Sequence, residues 1–167
     1  IKNDSANYKT TVPYAILLSF QLGLRVGELI ALEWSDIDFK KNIVHIQRQE
    51  TICNKYDSNL TKVASSVHEI KEYTKTKSGD RFLPLTPEAL RILDSVKSWN
   101  TSKNVTSDFI FVDDEGHNFN RQRINTCLYS YCNKVDIIKK SSHKVRRSVI
   151  SSLLDNITNK KSVQAFA

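Results

Sequence analysis

Two arginines far apart in this 167-residue chain, Arg25 and Arg146, stand in contexts suited to phosphate chemistry. The first lies in Gly23-Leu24-Arg25-Val26-Gly27-Glu28-Leu29 and the second in His143-Lys144-Val145-Arg146-Arg147, with Lys75-Thr76-Lys77-Ser78-Gly79 between them. A phosphodiester is opened without water or metal when a side-chain nucleophile attacks phosphorus while cations stabilise the charge growing on the nonbridging oxygens. Arg suits that role because it stays charged at any working pH and its planar fork bonds two phosphate oxygens at once, which Lys cannot reproduce. Lys75, expected at a hairpin tip, can protonate a leaving 5′-oxygen if surrounding positive charge lowers its pKa. His143, whose type titrates near neutrality, can accept the nucleophile's proton or hydrogen-bond the phosphate. Glu28, one helical turn past Arg25, is either an ordinary intrahelical partner or the group that orients Arg25 toward a phosphate.

These residues need elements to hold them. Thr10 or Thr11 caps an expected helix with Pro13 in its first turn and Ile16, Leu17, Phe20 and Leu24 facing the core. Gly23 and Gly27 bracket a tight turn, after which Leu29, Ile30 and Leu32 continue a second short helix, so Arg25 falls at a helix junction. Residues 42–48 read as a strand around Val44 and Ile46, and the polar stretch 51–66 reads as a long connection or an extended hairpin. Residues 67–74 and 80–85 are expected to pair as a hairpin turning at Lys77-Ser78-Gly79. Thr86-Pro87-Glu88 opens a helix reaching Ser98 or Trp99. Asn120 opens another, with Ile124, Cys127, Leu128, Tyr131 and Val135 on one face. Ser141 or Ser142 caps a third, in which Val145, Val149, Leu153 and Ser152 face inward and His143 and Arg146 share a face. Asn159 is placed at the start of a last helix containing Val163 and Phe166. No internal repeat or domain boundary interrupts the chain, so the expected fold class is α+β: a mainly helical domain carrying a small three-stranded antiparallel sheet.

Bulk properties narrow the partners. A formal charge of +7 and a pI near 9.3 favour a polyanion, because clustered Lys and Arg gain by releasing the counterions of a phosphate backbone. The 3 cysteines, Cys53, Cys127 and Cys132, are odd in number and dispersed, which suits free thiols in a reducing compartment. They share no ligand spacing with the histidines, and the Asp113-Asp114-Glu115-Gly116 turn lacks the further ligands of a calcium loop, so no metal or other cofactor is expected. Nor does any apolar run approach membrane-spanning length, which makes a cytoplasmic protein with no membrane partner the expectation. Ile1 is not a natural start, and the chain reads as cut from something longer.

The order Gly-Leu-Arg-x-Gly-Glu-Leu, then Lys-Thr-Lys-Ser ahead of a Pro-Leu strand end, then His-x-x-Arg resembles the tyrosine recombinases, the phage-integrase family. The resemblance runs through residues 22–38, 75–85 and 142–147 and, with the intervening lengths, covers nearly the whole chain. It implies that Arg25, Lys75, His143 and Arg146 are active-site residues, that Glu28 supports them, and that Lys77 is the rival for the Lys role. Lys77, Lys144 and Arg147 are expected to contact DNA. It further implies that residues 1–167 are a catalytic domain lacking its C-terminal end and an N-terminal core-binding domain. The intact protein would bind double-stranded DNA, assemble as a homo-oligomer of four protomers, and cleave and rejoin strands through a 3′-phosphotyrosyl intermediate. Two departures stand out. Arg147 occupies a position where the family often has His, and the family's later Gly-His (or Trp) segment and nucleophilic Tyr are not among these residues. Tyr8, Tyr14, Tyr56, Tyr73, Tyr129 and Tyr131 all precede or separate the motifs, so the chain as given is expected to be inactive alone. A type IB topoisomerase-like enzyme and a noncatalytic DNA-binding module of the same fold are the alternatives.

Overall fold

The computed structural model describes residues 9–71 and 79–156. Helix α1 (Val12–Leu22) begins with Pro13 in its first turn, where a missing N–H costs no hydrogen bond, and ends at Gly23, whose φ of 58° closes the helix in the left-handed region. Thr11 stands at the N-terminal boundary of α1, but its hydroxyl serves a different purpose. It donates to the Val112 carbonyl and accepts from the Val112 N–H, both at 2.7 Å, sewing α1 to the buried 110–112 segment. The face of α1 also differs from the expected one: Ala15, Ile16, Leu18 and Leu22 are buried, whereas Phe20 is 45% exposed. Ser19 can lie inside because its hydroxyl donates to the Ile16 carbonyl at 2.7 Å, and this turns Phe20 outward.

After α2 (Val26–Ile30) and a 3₁₀ turn at Trp34–Asp36, strands β1 (Ile37–Asp38) and β2 (Ile43–Ile46) form an antiparallel pair. The chain then runs out and back as a two-stranded ribbon, β3 (Gln49–Tyr56) and β4 (Lys62–Lys71), in which only Glu50 is buried. Strand β5 (Arg81–Pro84) returns to pair with β2, giving the three-stranded order β1–β2–β5. The expected pairing of 67–74 with 80–85 is therefore corrected. Residues 67–71 pair with 49–53 instead, because burying Val44 and Ile46 against Leu83 requires β5 to take the place beside β2.

Three helices complete the domain. Thr86 caps α3 (Pro87–Lys103) by accepting the Ala89 N–H at 3.0 Å, and the helix runs one turn beyond its expected end to Asn104, a left-handed cap. Asn120 caps α4 (Arg121–Lys134) through the Arg123 N–H at 2.9 Å. Its buried positions are Ile124, Leu128 and Cys132; Val135 falls outside the helix and is 64% exposed. In α5 (Ser142–Asn156), Val145 is buried and Val149 and Leu153 half-buried, while Ser152 is exposed. The helix expected after Asn159 lies outside the described residues. Helices α3, α4 and α5 all pack on α1, whose burial makes it the axis of the core. Among the described residues no helix is long and apolar enough to cross a membrane, no group of acidic, His or Cys residues is arranged to hold a metal, and all three cysteines are free.

Candidate active site

Arg25 is the residue just before α2, extended at φ −66° and ψ 145°, so its side chain leaves the junction between two apolar helices. Two glycines make this possible. Gly23 reverses the chain, and Gly27 lets α2 approach β3 so closely that a Cβ there would sit 2.7 Å from the Glu50 carbonyl oxygen. Because that neighbour is backbone and cannot step aside, Gly27→Ala is expected to cost about 1–3 kcal/mol. Urea denaturation measures this; a loss below about 0.5 kcal/mol would contradict the close approach.

Glu28 is the hub. Its carboxylate is fully buried and accepts four hydrogen bonds: from the Arg25 backbone N–H at 2.9 Å, from Arg25 Nη1 at 2.8 Å, and from Arg81 Nη1 and Nη2 at 3.1 and 2.9 Å. Arg146 Nη1 stands 4.0 Å away and also donates to the Gly23 carbonyl. Burial pushes the Glu28 carboxyl up, but the hydrogen bonds and charge of Arg81, joined by the side-chain and backbone hydrogen bonds of Arg25, outweigh it and hold the group below its ordinary value. The pairing of Arg25 with Glu28 is thus not an ordinary surface ion pair, because the carboxylate serves several guanidinium groups at once.

Three guanidinium groups share this one carboxylate, and the surplus positive charge has a visible consequence. Desolvation, the Arg25 charge and, more weakly, the Arg81 charge press the Arg146 pKa down to about 10, against the favourable pull of Glu28. Arg146 remains protonated at neutral pH, in a setting that an added anion would relieve. The space for that anion exists. A cavity of about 640 Å³ is lined by Arg25, Glu28, Gly79, Arg121, Ser142, His143 and Arg146, together with the start of β3. Residues near both ends of the chain meet there because α5 packs across α1.

A second ionic cluster borders the same cavity. Buried Glu50 accepts from Arg121 Nε at 3.2 Å and lies 2.5 Å from His68 Nδ1, tying the base of the ribbon to the first turn of α4.

Of the residues singled out from sequence, Arg25, Glu28, His143 and Arg146 converge on one cavity. Lys144 and Arg147 do not: they are exposed and line a separate groove with Phe20, Val135 and Ile137. Lys75 and Lys77 lie outside the described residues. Sequence reasoning missed Arg81, Glu50 and Arg121. One signal was available for Arg81: along β5, Arg81 and Leu83 are buried while Phe82 and Pro84 are exposed, so an Arg on the inward parity of a strand demands a buried carboxylate.

Comparison with known proteins bears on the whole chain. The profile of the phage integrase family matches residues 2–167. A tyrosine recombinase XerC-like protein of Caldanaerobacter subterraneus subsp. tengcongensis is 26% identical over 152 residues, covering 83% of this chain and 37% of that protein. The integrase of Staphylococcus phage L54a is 26% identical over 167 residues, covering 93% of this chain and 44% of its own length. This chain therefore spans less than half of either curated relative. Among solved structures, the Tn1549 transposon integrase in complex with transposon right end DNA superposes with a TM-score of 0.72 at 20% identity, over 92% of this chain and 49% of that one. XerA recombinase does so with a TM-score of 0.70 at 22% identity, over 99% of this chain and 50% of that one. These likenesses establish the fold.

Proposed function

This chain belongs to the phage integrase family, and from that membership we propose that it is the phosphate-gripping part of a site-specific DNA recombinase that cleaves and rejoins strands through a 3′-phosphotyrosyl intermediate. The observation that carries the reading is the cavity lined by Arg25, His143 and Arg146, from opposite ends of the chain, in which the two arginines flank one buried carboxylate. A surplus of guanidinium charge in a partly desolvated cavity is what a pentacoordinate phosphorus centre needs, since its added charge falls on the nonbridging oxygens. The names of the two relatives, a recombinase and an integrase, support the same reaction class, and the DNA complex of the Tn1549 integrase supports duplex DNA as the partner.

In this reading Arg25 and Arg146 hold the nonbridging oxygens of the scissile phosphate, and Glu28 fixes the direction of Arg25 and limits repulsion among the guanidinium groups. His143 accepts the nucleophile's proton or hydrogen-bonds the phosphate. The Tyr oxygen forms a bond to phosphorus as the bond from phosphorus to the 5′-oxygen breaks, and Lys75, or its rival Lys77, gives that oxygen a proton so that a 5′-hydroxyl departs. Rejoining is the reverse. No tyrosine among the described residues lines the cavity, and the reading assigns the nucleophile to a tyrosine of the full-length protein outside the described residues. Lys77, Lys144 and Arg147 contact the DNA backbone, and a tetramer brings two duplexes together; both are parts of the proposal. No cofactor or metal enters any step.

The longer protein, given a nicked duplex carrying its site, is expected to form a covalent 3′-phosphotyrosyl adduct visible on a denaturing gel. Duplex binding with no adduct would favour a noncatalytic DNA-binding module. Relaxation of supercoils without sequence preference would favour a topoisomerase.

A further inference from the structure

We infer that Arg121 is a further phosphate-binding residue, one that holds the DNA phosphate next to the scissile one; this rests on the recombinase reading above. The cavity wall repeats one device. The Glu28 side chain, 1% exposed, holds Arg25, whose side chain is 47% exposed; the Glu50 side chain, 3% exposed, holds Arg121, whose side chain is 40% exposed. Both arginines line the same cavity, and the two pairs adjoin because Gly27 of α2 lies against the Glu50 carbonyl. Arg121 Nε donates to Glu50 Oε2 at 3.2 Å and Nη2 to the Glu50 carbonyl at 3.3 Å, which fixes the plane of the guanidinium. Its Nη1 has no hydrogen-bond partner among the described residues.

An arginine that serves structure alone looks different in this chain. The Arg48 side chain is 10% exposed, pairs with two carboxylates, those of Glu33 and Asp36, and is absent from the cavity wall. Arg121 shares a single carboxylate with His68 and stays half-exposed at the cavity. With both carboxylates buried, the guanidinium groups are what a strand entering the cavity meets, and each is already oriented. The ligand is larger than one phosphate: cavities of roughly 300–1,000 Å³ take whole small molecules, and this one measures about 640 Å³. A DNA strand carries a negative charge at every nucleotide. Once Arg25 and Arg146 hold the scissile phosphate, its neighbour falls to Arg121, the third arginine among the described residues of the wall. Phosphate contacts set register, so this second grip fixes which phosphate meets Arg146.

The test pairs a variant with a neutralised phosphate. Full-length protein, parent and Arg121→Ala, is titrated with duplexes carrying its site and a single methylphosphonate, placed in turn at the scissile position and at each phosphate beside it. On the ordinary duplex Arg121→Ala is expected to bind about 10-fold more weakly, the scale of one charged hydrogen bond. Neutralising one flanking phosphate should weaken the parent by a similar factor and the variant by almost nothing, the coupling that a direct contact produces. Neutralising the scissile phosphate should leave the Arg121→Ala penalty in place. A penalty that persists at every flanking position, disappears only at the scissile one, or is missing on the ordinary duplex overturns the inference; a merely structural role for Arg121 gives the first of these. Should Arg121→Ala fail to fold, Arg121→Lys replaces it, keeping a charge beside Glu50 without the fork, and is held to the same loss of sensitivity at one flanking phosphate. If the parent binds no duplex and forms no adduct, the recombinase reading and the inference fall together. Adduct formation by the parent without that coupling overturns the inference alone.

Discussion

Replacing Arg146 with Ala is expected to slow covalent adduct formation by the longer protein about 10²–10³-fold, the loss that follows removal of one preorganised donor aimed at developing charge. The size follows from where Arg146 sits. Its side chain is only 8% exposed, it is held by the Gly23 carbonyl and lies 4.0 Å from Glu28, so its direction is set before DNA arrives. Desolvation and its cationic neighbours have lowered its pKa to about 10, and closing on a phosphate oxygen reverses that pressure. Arg25, with 47% of its side chain exposed, gives up more to water, and Arg25→Ala should cost less than Arg146→Ala. Arg146→Lys keeps the charge but loses the fork, and is expected to recover little of the rate. Single-turnover adduct formation, with duplex binding measured separately, checks the order. Adduct formation by Arg146→Ala at the parent's rate would remove Arg146 from the site.

Glu28→Gln should be the most damaging change to stability among the site residues. The amide keeps the shape but removes the charge that faces buried Arg81 and nearby Arg146, and breaking a buried ion pair from one side typically costs about 3–5 kcal/mol. For a domain of this size that corresponds to a fall in melting temperature of roughly 2–4 °C per kcal/mol. The pH dependence carries a matching sign. A carboxyl held below its ordinary value of 4.5 in the folded state contributes stability that is fully present above that value and lost as pH falls through the lower folded value. The parent protein should therefore lose stability more steeply than Glu28→Gln as pH drops below 4.5. Parallel acid profiles for the two proteins would mean that Glu28 is not the anionic hub.

Much of the site was legible because its parts are local. Arg25 and Glu28 are three residues apart across a glycine-marked junction, and His143 and Arg146 are one turn apart on α5, so spacing alone put each pair on a common face. What spacing does not carry is the partner across the fold. Arg81 meets Glu28 over 53 positions, and Arg121 meets Glu50 over 71, contacts fixed only once β5 pairs with β2 and the first residue of α4 reaches the start of β3. The same limit explains the misread hairpin. A stretch such as 67–71 alternates identically whichever strand it joins, and the burial of Leu83 against β2 decides the matter. Phe20 was misplaced for a different reason: apolar periodicity assumed that a serine faces water, whereas Ser19 satisfies its hydroxyl on the preceding turn and takes the inward position.

The central claim is that arginines from the two ends of the chain neutralise charge on a single phosphate. A duplex with a methyl group in place of one nonbridging oxygen at the scissile position tests it most directly, because the neutral methylphosphonate has no such charge to hold. The penalty of Arg146→Ala, about 10²-fold or more on the ordinary phosphodiester, should largely disappear on the neutral substrate. An equal penalty on both substrates would contradict the account, since Arg146 would then act on something other than the phosphate.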